Sequence, residues 1–446
     1  MKTILLFGAG KSATVLIDYL KKMATDCFCN VMIADADLQL LKQKINDNQL
    51  VSIHQIDIKN KLDRDNLIKK ANVVISLMPP SLHYLIARSC IELKKHLLTA
   101  SYVDDAVKKL ATEIENANIL FLYEMGLDPG IDHMSAMQLI NQIQDSGGKI
   151  SSFKSHCGGI VAPESDDNLW HYKISWNPRN IVLAGKAGAV YLENRITKTQ
   201  DYTELFRNCS QTEVMGMGSL AYYPNRDSLS YIAIYGLENI QTFVRTTLRH
   251  PDFCKGWQQI IDLKLTDEEP FYETSNLTIT RFLEQHLERF SLKNTYQQIT
   301  DLKTINQFDF LFKNDETIIN KGFCSAADVL QFIVERKLKL QKTDKDMIVM
   351  QHEIEYEGTR NKGQEKKISS FKAQILSTLI VKGHNNSYTA MAKTVGLPLG
   401  IAAKLIIEEK IELKGLHIPI VQEIYNPVLQ ELKNWGIEFT EQFVEL

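Results

Sequence analysis

A glycine-rich turn close to the N-terminus constrains the fold more than any other feature of this sequence. Residues 3–23, TILLFGAGKSATVLIDYLKKM, begin as a short apolar strand and continue, after the turn, with apolar residues at helical spacing. Gly8, Gly10 and Ala13 form the pattern G-x-G-x-x-A, which allows a tight turn, the approach of a pyrophosphate and close packing of helix on strand. The turn alone is a weak signal, because other strand–turn–helix units use glycine only for packing.

Predicted strands and helices alternate up to about residue 125. The strands are apolar throughout, which predicts a parallel, doubly wound sheet with both faces covered. Ligands of such sheets bind beyond the carboxyl ends of the strands, and a carboxylate about 20 residues after the glycine turn would receive the ribose hydroxyls of a dinucleotide. Polar residues stand at or near these ends: Asp35, Asp57, Ser76, Ser101 and Glu124. The combined pattern predicts dinucleotide binding.

The segment YEMGLDPGIDHMSAM, residues 123–137, contains four ionisable side chains close together: Glu124, Asp128, Asp132 and His133. Three interpretations are open, namely a metal site, an acid–base cluster, or a turn that leads into a helix. Neighbouring residues on a helix point about 100° apart, which is a poor geometry for sharing a metal, and DPG is a strong turn signal. Because the segment follows the sixth predicted strand, Asp128 is expected on the cofactor side of the sheet.

Composition excludes several classes of protein. A chain of 446 residues with 44% hydrophobic and 24% charged residues predicts a globular protein of two or three domains. The net charge of −3 gives no reason to expect nucleic acid as a partner, and the seven scattered cysteines suit a reducing compartment. No apolar run approaches the ~20 residues of a membrane helix. MKTILLFGAG lacks a signal-peptide cleavage site, so we expect a cytoplasmic protein without membrane contact.

After residue 150 the pattern changes. GKISSFKSHCGGIVAP, KISWNPRNIVLA and SLSYIAIYGL predict strands, helical spacing dominates residues 252–345, and GTRNKGQEKKI predicts a charged hairpin loop. GLPLG interrupts the helical spacing of TAMAKTVGLPLGIAAKLIIEEKI, which predicts two packed helices or a helix entered through a turn. Arginines in the middle segment suit bidentate binding of carboxylates: Arg179, Arg226, Arg245 and Arg249.

Several blocks occur in an order that is typical of one family. They are TASYV, GLDPGIDHMSA, HCGGIVAPESDDNLWHYKISWNPRNIVLA, YPNRDSLSY, VRTTLRHPDF, AMAKTVGLPLGIAAKLI and GLHIPIVQEIYNPVL. With these blocks the chain resembles saccharopine reductase, the glutamate-forming saccharopine dehydrogenase of lysine metabolism, over essentially its whole length. An ordered set of blocks is far more specific than one glycine turn.

The resemblance implies an α/β fold with a discontinuous Rossmann domain, in which residues 1–125 form a parallel doubly wound sheet that residues 386–446 complete. Residues 126–385 would form an α/β domain for substrate binding and dimerisation, with a helical subdomain at about 252–345. The family implies a homodimer, saccharopine as the small-molecule substrate, and no metal. Saccharopine would lose a hydride from its lysine-side carbon, and water would cleave the imine to L-glutamate and 2-aminoadipate 6-semialdehyde. The reverse reaction serves biosynthesis.

The resemblance also assigns site residues. No histidine or lysine is a clear general base, so the candidates for catalysis are Asp128, Tyr102 and Cys157, of which Cys157 better fits a plain pocket or core residue. Asp132 and His133 would begin a helix. Substrate contacts would come from Ser101, Tyr102, Asp128, Arg226, Thr246, Thr247, Leu248 and Arg249. Cofactor contacts would come from Gly8, Ala9, Gly10, Lys11, Ser12, Asp35, Ala36, Asp57, Met78, Ser101 and Ser175.

The end of the second strand departs from the fungal relatives. There a cysteine–arginine–threonine run receives the 2′-phosphate of NADP, whereas this chain has IADAD. Asp35 and Asp37 would repel a phosphate, so we expect a preference for NAD, with NADP still usable if Lys11 or Lys42 compensates.

Two other functions remain open. One is an oxidoreductase similar to carboxynorspermidine dehydrogenase, whose substrate has fewer carboxylates. The presence of Arg226, Arg249 and Asp128 favours saccharopine over that substrate. The other is a nucleotide-binding protein without turnover, which the intact substrate blocks disfavour.

Overall fold

The computed structural model describes residues 1–27, 29–45, 50–362 and 367–446. The chain forms two compact units, one of Met1–Ser146 with Ser387–Phe439 and one of Gly147–Asn386 with Thr440–Leu446. Part of the predicted charged loop GTRNKGQEKKI, at 363–366, lies outside the described residues.

The strands are β1 (Thr3–Phe7), β2 (Asn30–Asp35), β3 (Val51–Gln55), β4 (Val73–Ser76), β5 (His96–Thr99), β6 (Leu120–Leu122), β7 (Lys149–Val161), β8 (Ala189–Glu193), β9 (Ile196–Gln200), β10 (Ser210–Val214), β11 (Gly218–Pro224), β12 (Arg226–Asp227), β13 (Thr242–Arg249), β14 (Pro270–Glu273), β15 (Phe323–Ser325), β16 (Asp346–Lys362), β17 (Lys367–Lys382), β18 (Gly415–His417) and β19 (Thr440–Glu445).

The helices surround these strands in both units. They are α1 (Thr14–Cys27), α2 (Leu38–Ile45), α3 (Lys61–Lys70), α4 (Pro80–Glu92), α5 (Asp105–Lys108), α6 (Ala111–Asn116), α7 (Ile131–Asp145), α8 (Pro178–Val182), α9 (Ser230–Ile234), α10 (Pro251–Asp262), α11 (Ile279–Arg289), α12 (Lys293–Gln297), α13 (Leu302–Phe312), α14 (Ala326–Lys337), α15 (Ala390–Ile407) and α16 (Gln422–Lys433).

The first unit is built on a parallel sheet. Among the described residues its strand order is β18-β6-β5-β4-β1-β2-β3, which contains the 3-2-1-4-5-6 order of a dinucleotide-binding fold. Four or more consecutive residues of β1 and β4 are buried, as expected for strands covered on both faces. The late strand β18 pairs with β6, so the C-terminal segment completes the sheet. The predicted discontinuous Rossmann fold is confirmed.

The unit boundaries differ from the predicted domain boundaries. Helix α7 belongs to the first unit, whereas the predicted boundary has residues 126–146 at the start of the second domain. Strand β19 belongs to the second unit because it pairs with β17, although the predicted first domain extends to residue 446.

The segment GLPLG does not break its helix. Helix α15 runs continuously through Pro398, so the prediction of two helices or an entry turn is wrong. A Cβ on Gly396 would lie 3.0 Å from the Cβ of Leu16, and one on Gly400 would lie 2.6 Å from the ring of Tyr19. The two glycines therefore allow close packing against α1. Helix α15 is also long and apolar enough to cross a membrane, but 83% of it is buried within the protein, which is typical of a core helix.

The second unit contains a mixed sheet and a helical part. Among the described residues the main path of the sheet is β10-β11-β13-β7-β16-β17-β19, with β7 parallel to β13 and antiparallel to β16. Helices α10 to α14 and the β14–β15 pair share a separate apolar core that includes Trp170, Trp257 and Phe282.

Two predicted strands of this unit are helices instead. In KISWNPRNIVLA, the side chain of Asn177 caps α8, and Pro178 occupies its first turn. In SLSYIAIYGL, the Asp227 carboxylate accepts from two N–H groups at the start of α9. Tyr231 and Tyr235, four residues apart, then contact each other on one side of the helix. The alternation in the sequence was misleading because these capping residues determine the local structure.

Candidate active site

The glycine turn leads from β1 to α1 through the 3₁₀ segment Lys11–Ala13. Gly8 has a φ of +97°, and a Cβ there would lie 2.9 Å from the carbonyl oxygen of Leu77, so only glycine fits. Among the described residues, a Cβ on Gly10 would meet no atom within 4 Å, so the backbone there faces open space. Together with the N–H groups at the start of the helical segment, this turn fits a pyrophosphate.

The Asp35 carboxylate at the end of β2 binds backbone N–H groups. Its Oδ2 accepts from the N–H of Ala9 at 2.7 Å, and its Oδ1 accepts from the N–H of Asp37 at 3.0 Å. The Asp37 carboxylate in turn accepts from the N–H groups of Gln39 and Leu40, where α2 begins. Asp35 therefore braces the glycine turn, and N–H dipoles partly offset the charge of both carboxylates.

A buried histidine connects the ends of β4 and β5. His83 of α4 lies 2.9 Å through Nδ1 from the Ser76 hydroxyl and 2.7 Å through Nε2 from the Ser101 hydroxyl. Burial lowers the pKa of His83 to about 4, against the opposing effect of Asp104. The ring is therefore neutral at neutral pH, with one nitrogen donating and the other accepting. It fixes the hydroxyl of Ser101, which the resemblance assigns to substrate and cofactor binding.

The loop between β6 and α7 uses most of its ionisable side chains to hold itself together. Glu124 Oε2 lies 2.8 Å from His133 Nε2, and Asp132 Oδ1 accepts from a backbone N–H of the turn at 2.6 Å. These three side chains are buried, whereas Asp128 is half-buried and receives the hydroxyl of Tyr102 at 3.4 Å. The structure therefore gives Asp132 and His133 a structural role at the start of α7, and Asp128 a more open position.

In the second unit, the predicted substrate residues of β13 lie on two faces of the sheet. Side chains alternate along a strand, so Thr247 and Arg249 point to one face while Thr246 and Leu248 point to the other. Cys157 of β7 is the register partner of Thr247 and shares its face. The structure therefore groups Cys157 with Thr247 and Arg249, and it separates the side chains of Thr246 and Leu248 from this group.

Arg249 is a buried cation that no carboxylate balances within the described residues. Its side chain is 5% exposed, and its Nη1 donates to the carbonyl of Leu248 at 2.8 Å and approaches that of Gly159 at 3.5 Å. The guanidinium lies 5.4 Å from the ring of Tyr172 and 5.8 Å from that of Phe253. Among the described residues, Nε has no hydrogen-bond partner. A buried guanidinium with unused donors is suited to an anionic ligand.

The opposite face of β13 carries a polar network. The Thr246 hydroxyl lies 2.7 Å from His156 Nδ1, and His156 Nε2 lies 3.4 Å from Glu353 Oε1. The second contact does not meet the geometry of a hydrogen bond, so His156 Nε2 has no hydrogen-bond partner among the described residues. Burial alone would raise the pKa of Glu353, but His156 and the Thr212 hydroxyl lower it to about 2. The Glu353 carboxylate is therefore ionised at neutral pH, and His156 fixes the hydroxyl of Thr246 within the sheet.

The remaining predicted residues have varied surroundings. Arg226 is exposed, with a φ of +54° at the start of β12. Asp57 is exposed and accepts from the N–H of Lys59 at 2.9 Å, which shapes the turn before α3. Met78 lies beside Gly8, since its sulfur would be 3.4 Å from a Cβ there. Ser175 is buried in the second unit, whereas the other predicted cofactor residues belong to the first.

One side-chain cluster in the described chain is close enough to share a metal ion: His171, His250 and Asp252. The two imidazole rings stack with centroids 3.7 Å apart. Lys303 donates to Asp252 Oδ2 at 2.7 Å, and His250 Nδ1 accepts from the backbone N–H of Asp252 at 3.2 Å. Lys303 and the helix cap thus already engage one oxygen of Asp252 and one ring nitrogen of His250.

Sequence reasoning missed three polar groups at these sites. They are Lys44 beside the glycine turn, His83 between the two serines, and the pair of His156 and Glu353. Lys44, His83 and Glu353 lie outside the quoted blocks, and His156 begins the block HCGGIVAP without having been singled out. The only available signal was the position of Ser76 and Ser101 at strand ends, which did not indicate their common neighbour.

The parallel sheet, its strand order and the glycine turn define a dinucleotide-binding protein of the Rossmann class. Residues 4–122 match the profile of the saccharopine dehydrogenase NADP binding domain, and residues 126–437 match that of the saccharopine dehydrogenase C-terminal domain. The chain belongs to the saccharopine dehydrogenase family.

Individual relatives agree with this assignment. The chain is 31% identical to saccharopine dehydrogenase [NADP(+), L-glutamate-forming] of Saccharomyces cerevisiae, over 99% of both proteins. It is 32% identical to alpha-aminoadipic semialdehyde synthase of Arabidopsis thaliana over 98% of this chain, but it spans only 44% of that relative's length. The apo structure of the S. cerevisiae saccharopine dehydrogenase (L-Glu forming) superposes with a TM-score of 0.87 at 28% identity and covers 100% of both chains.

The predicted preference for NAD over NADP is wrong. The matching N-terminal domain is described as NADP binding, and the fungal relatives are named for NADP(+). The structure supplies a physical reason, because backbone N–H groups engage the carboxylates of Asp35 and Asp37. Their repulsion of a phosphate is therefore weaker than that of two bare carboxylates.

Proposed function

We propose that this chain is an NADP-dependent saccharopine dehydrogenase of the L-glutamate-forming type. Saccharopine, NADP⁺ and water would give L-glutamate, 2-aminoadipate 6-semialdehyde, NADPH and a proton, or the reverse. Membership of the family supports this proposal, as do the names of the fungal relatives that match over their full length.

The observation that carries the proposal is that the Arg249 guanidinium is buried and that its Nε has no hydrogen-bond partner among the described residues. Saccharopine has three carboxylates, and a buried guanidinium whose Nε has no partner among the described residues offers a site for one of them. The neighbouring rings of Tyr172 and Phe253 exclude water from the cation. In such a setting a charge-assisted, bidentate pair is much stronger than it is in water.

In the first unit, the resemblance assigns further substrate contacts, which would position the substrate and move its proton. Gly8, Gly10 and the N–H groups that follow them would hold NADP, which would supply the hydride acceptor. The half-buried Asp128 would hold the substrate amine and accept its proton, while Tyr102 donates to that carboxylate and keeps it oriented. Water then attacks the imine carbon, the carbon–nitrogen bond breaks, and glutamate leaves with the nitrogen.

A steady-state assay tests the proposal. The purified chain, supplied with saccharopine and NADP⁺, should form NADPH and glutamate in equal amounts, measured by absorbance and by amino-acid analysis. A parallel reaction with carboxynorspermidine serves as the comparison and should be much slower. NADPH formation with carboxynorspermidine but not with saccharopine would move the chain to the polyamine-related activity.

Two further properties stay proposals, the first from the resemblance and the second from the sequence of the N-terminal segment. We expect a homodimer, which light scattering coupled to size-exclusion chromatography would measure. We also expect a cytoplasmic location, which fractionation of the source cells would test.

A further inference from the structure

Lys44 of α2 reaches across to the glycine turn. Its ammonium group donates to the carbonyl of Gly10 at 2.6 Å and to the hydroxyl of Thr14 at 2.9 Å. Asp35 and Asp18 are close enough to raise its pKa, but burial has the larger effect and lowers the pKa to about 8. Lys44 is thus a partly buried cation whose charged form gains from any additional anion.

The hydrogen-bond capacity of this ammonium is not exhausted. A lysine has three N–H donors, and the two described contacts use two of them. The third can bind an oxygen of a ligand that lies over the glycine turn, where a Cβ on Gly10 would meet open space. By contrast, the Asp35 carboxylate already accepts from two backbone N–H groups.

We propose that Lys44 binds the 2′-phosphate of NADP and so supplies the cofactor specificity that the carboxylate-rich end of β2 does not provide. The inference rests on the proposed function, since it assumes that the nicotinamide cofactor binds at the glycine turn. It assigns the phosphate to a helix residue, outside the IADAD run at the end of β2.

Lys42 provides a matched control on the same helix. Two residues along a helix correspond to a rotation of about 200°, so Lys42 and Lys44 point to opposite sides. Lys42 is exposed, while Lys44 is partly buried against the turn. Replacing Lys42 removes the same charge from the same helix without removing the contact with Gly10.

The test is equilibrium binding to the full chain, which requires no turnover. NADPH and NADH are titrated by fluorescence, and 2′,5′-ADP and 5′-AMP compete as fragments that differ in the 2′-phosphate. Lys44→Ala should weaken the binding of NADPH and of 2′,5′-ADP by tenfold to a hundredfold, while NADH and 5′-AMP change by less than about threefold. Lys42→Ala should leave all four unchanged, and Lys44→Arg should retain the preference for NADPH.

Each other outcome contradicts the inference in a recognisable way. Equal weakening of NADPH and NADH would make Lys44 a support of the glycine turn. Unchanged binding would remove it from the site altogether, and a selective effect of Lys42→Ala would transfer the role to Lys42. If the unmodified chain did not oxidise saccharopine, but Lys44→Ala still weakened NADPH and 2′,5′-ADP selectively, the proposed function would be rejected and the role of Lys44 would stand.

Discussion

Asp35 at the end of β2 and Arg249 at the end of β13 look equivalent in the sequence, as charged residues at strand ends, but their surroundings are opposite. Both oxygens of Asp35 accept from backbone N–H groups, so its charge is used within the fold. Arg249 is buried without a carboxylate among the described residues, and its Nε has no partner there. Unused hydrogen-bond capacity, rather than charge, therefore distinguishes the ligand-binding candidate Arg249 from the structural Asp35.

The largest effect is expected from Arg249→Met. If this guanidinium binds a substrate carboxylate, kcat/KM for saccharopine should fall at least a hundredfold, or about 3 kcal/mol. The free energy of unfolding should change by only about 1 kcal/mol, because methionine also removes an unbalanced buried charge. Kinetics and urea unfolding measure the two quantities.

Arg179→Met is the control for this substitution. Arg179 is half-buried and already pairs with Asp328 at 2.8 Å and Glu268 at 2.9 Å. Its guanidinium is therefore bound within the fold, as the Asp35 carboxylate is. Its loss should leave saccharopine kinetics unchanged. A large loss of stability in Arg249→Met with normal saccharopine kinetics would make Arg249 a structural residue, and the difference between Arg249 and Asp35 would disappear.

His83 is a second structural residue, because both of its ring nitrogens lie within hydrogen-bond distance of a hydroxyl, and its role can be tested through the pH dependence of stability. Its pKa is lowered by burial from 6.5 to about 4 in the folded protein, so the unfolded chain binds more protons between these values. The contribution of His83 to stability is complete above pH 6.5 and is lost as the pH falls towards 4, by about 3 kcal/mol at most. Urea unfolding at pH 7 and pH 4.5 should show a smaller difference in His83→Asn than in the unmodified chain. Replacement of the exposed His384 should leave that difference unchanged.

Sequence patterns were sufficient for the fold where local signals and burial agree. The glycine turn and the apolar strands predicted the parallel sheet of the first unit, and β18 joined it as the resemblance implied. They failed where short-range caps or close packing decide the outcome. The Asp227 carboxylate accepts from two N–H groups at the start of α9, in a segment with strand-like alternation. Gly396 and Gly400 allow α15 to pack tightly against α1 instead of interrupting it.

Site residues could be named from the sequence, but their roles could not be ranked. The resemblance proposed Arg249 and Asp35 alike, and only the coordinates show which backbone groups surround each one. The alternation of β13 also separates Thr246 from Thr247, although both were assigned to the substrate. Cofactor choice was predicted wrongly because the position of Lys44, nine residues beyond Asp35, is set by the packing of α2 rather than by a motif.

Asp35→Asn gives a smaller effect with a decisive direction. If the carboxylate mainly braces the glycine turn, its loss should weaken NADPH and NADH binding alike, by about tenfold, or 1.4 kcal/mol. An asparagine has only one acceptor oxygen, so it cannot receive both N–H groups. If repulsion of the 2′-phosphate dominated instead, NADPH binding would become tighter while NADH binding would not. Fluorescence titration with both cofactors distinguishes the two outcomes, and tighter NADPH binding would return Asp35 to the role of a charge-based selector.

The smallest effect is expected from Tyr102→Phe, which removes the contact between the Tyr102 hydroxyl and the Asp128 carboxylate. The hydroxyl of Tyr102 lies 3.4 Å from Asp128 Oδ1, which is long for a hydrogen bond to a carboxylate. A weak bond that only orients Asp128 should contribute about 0.6 kcal/mol, so kcat/KM for saccharopine should fall about threefold. Asp128→Asn should cost much more, because it removes the charge that holds the amine. If Tyr102→Phe were as damaging as Asp128→Asn, the Tyr102 hydroxyl would contact the substrate directly. Tyr102 would then be a substrate-binding residue, as we propose for Arg249.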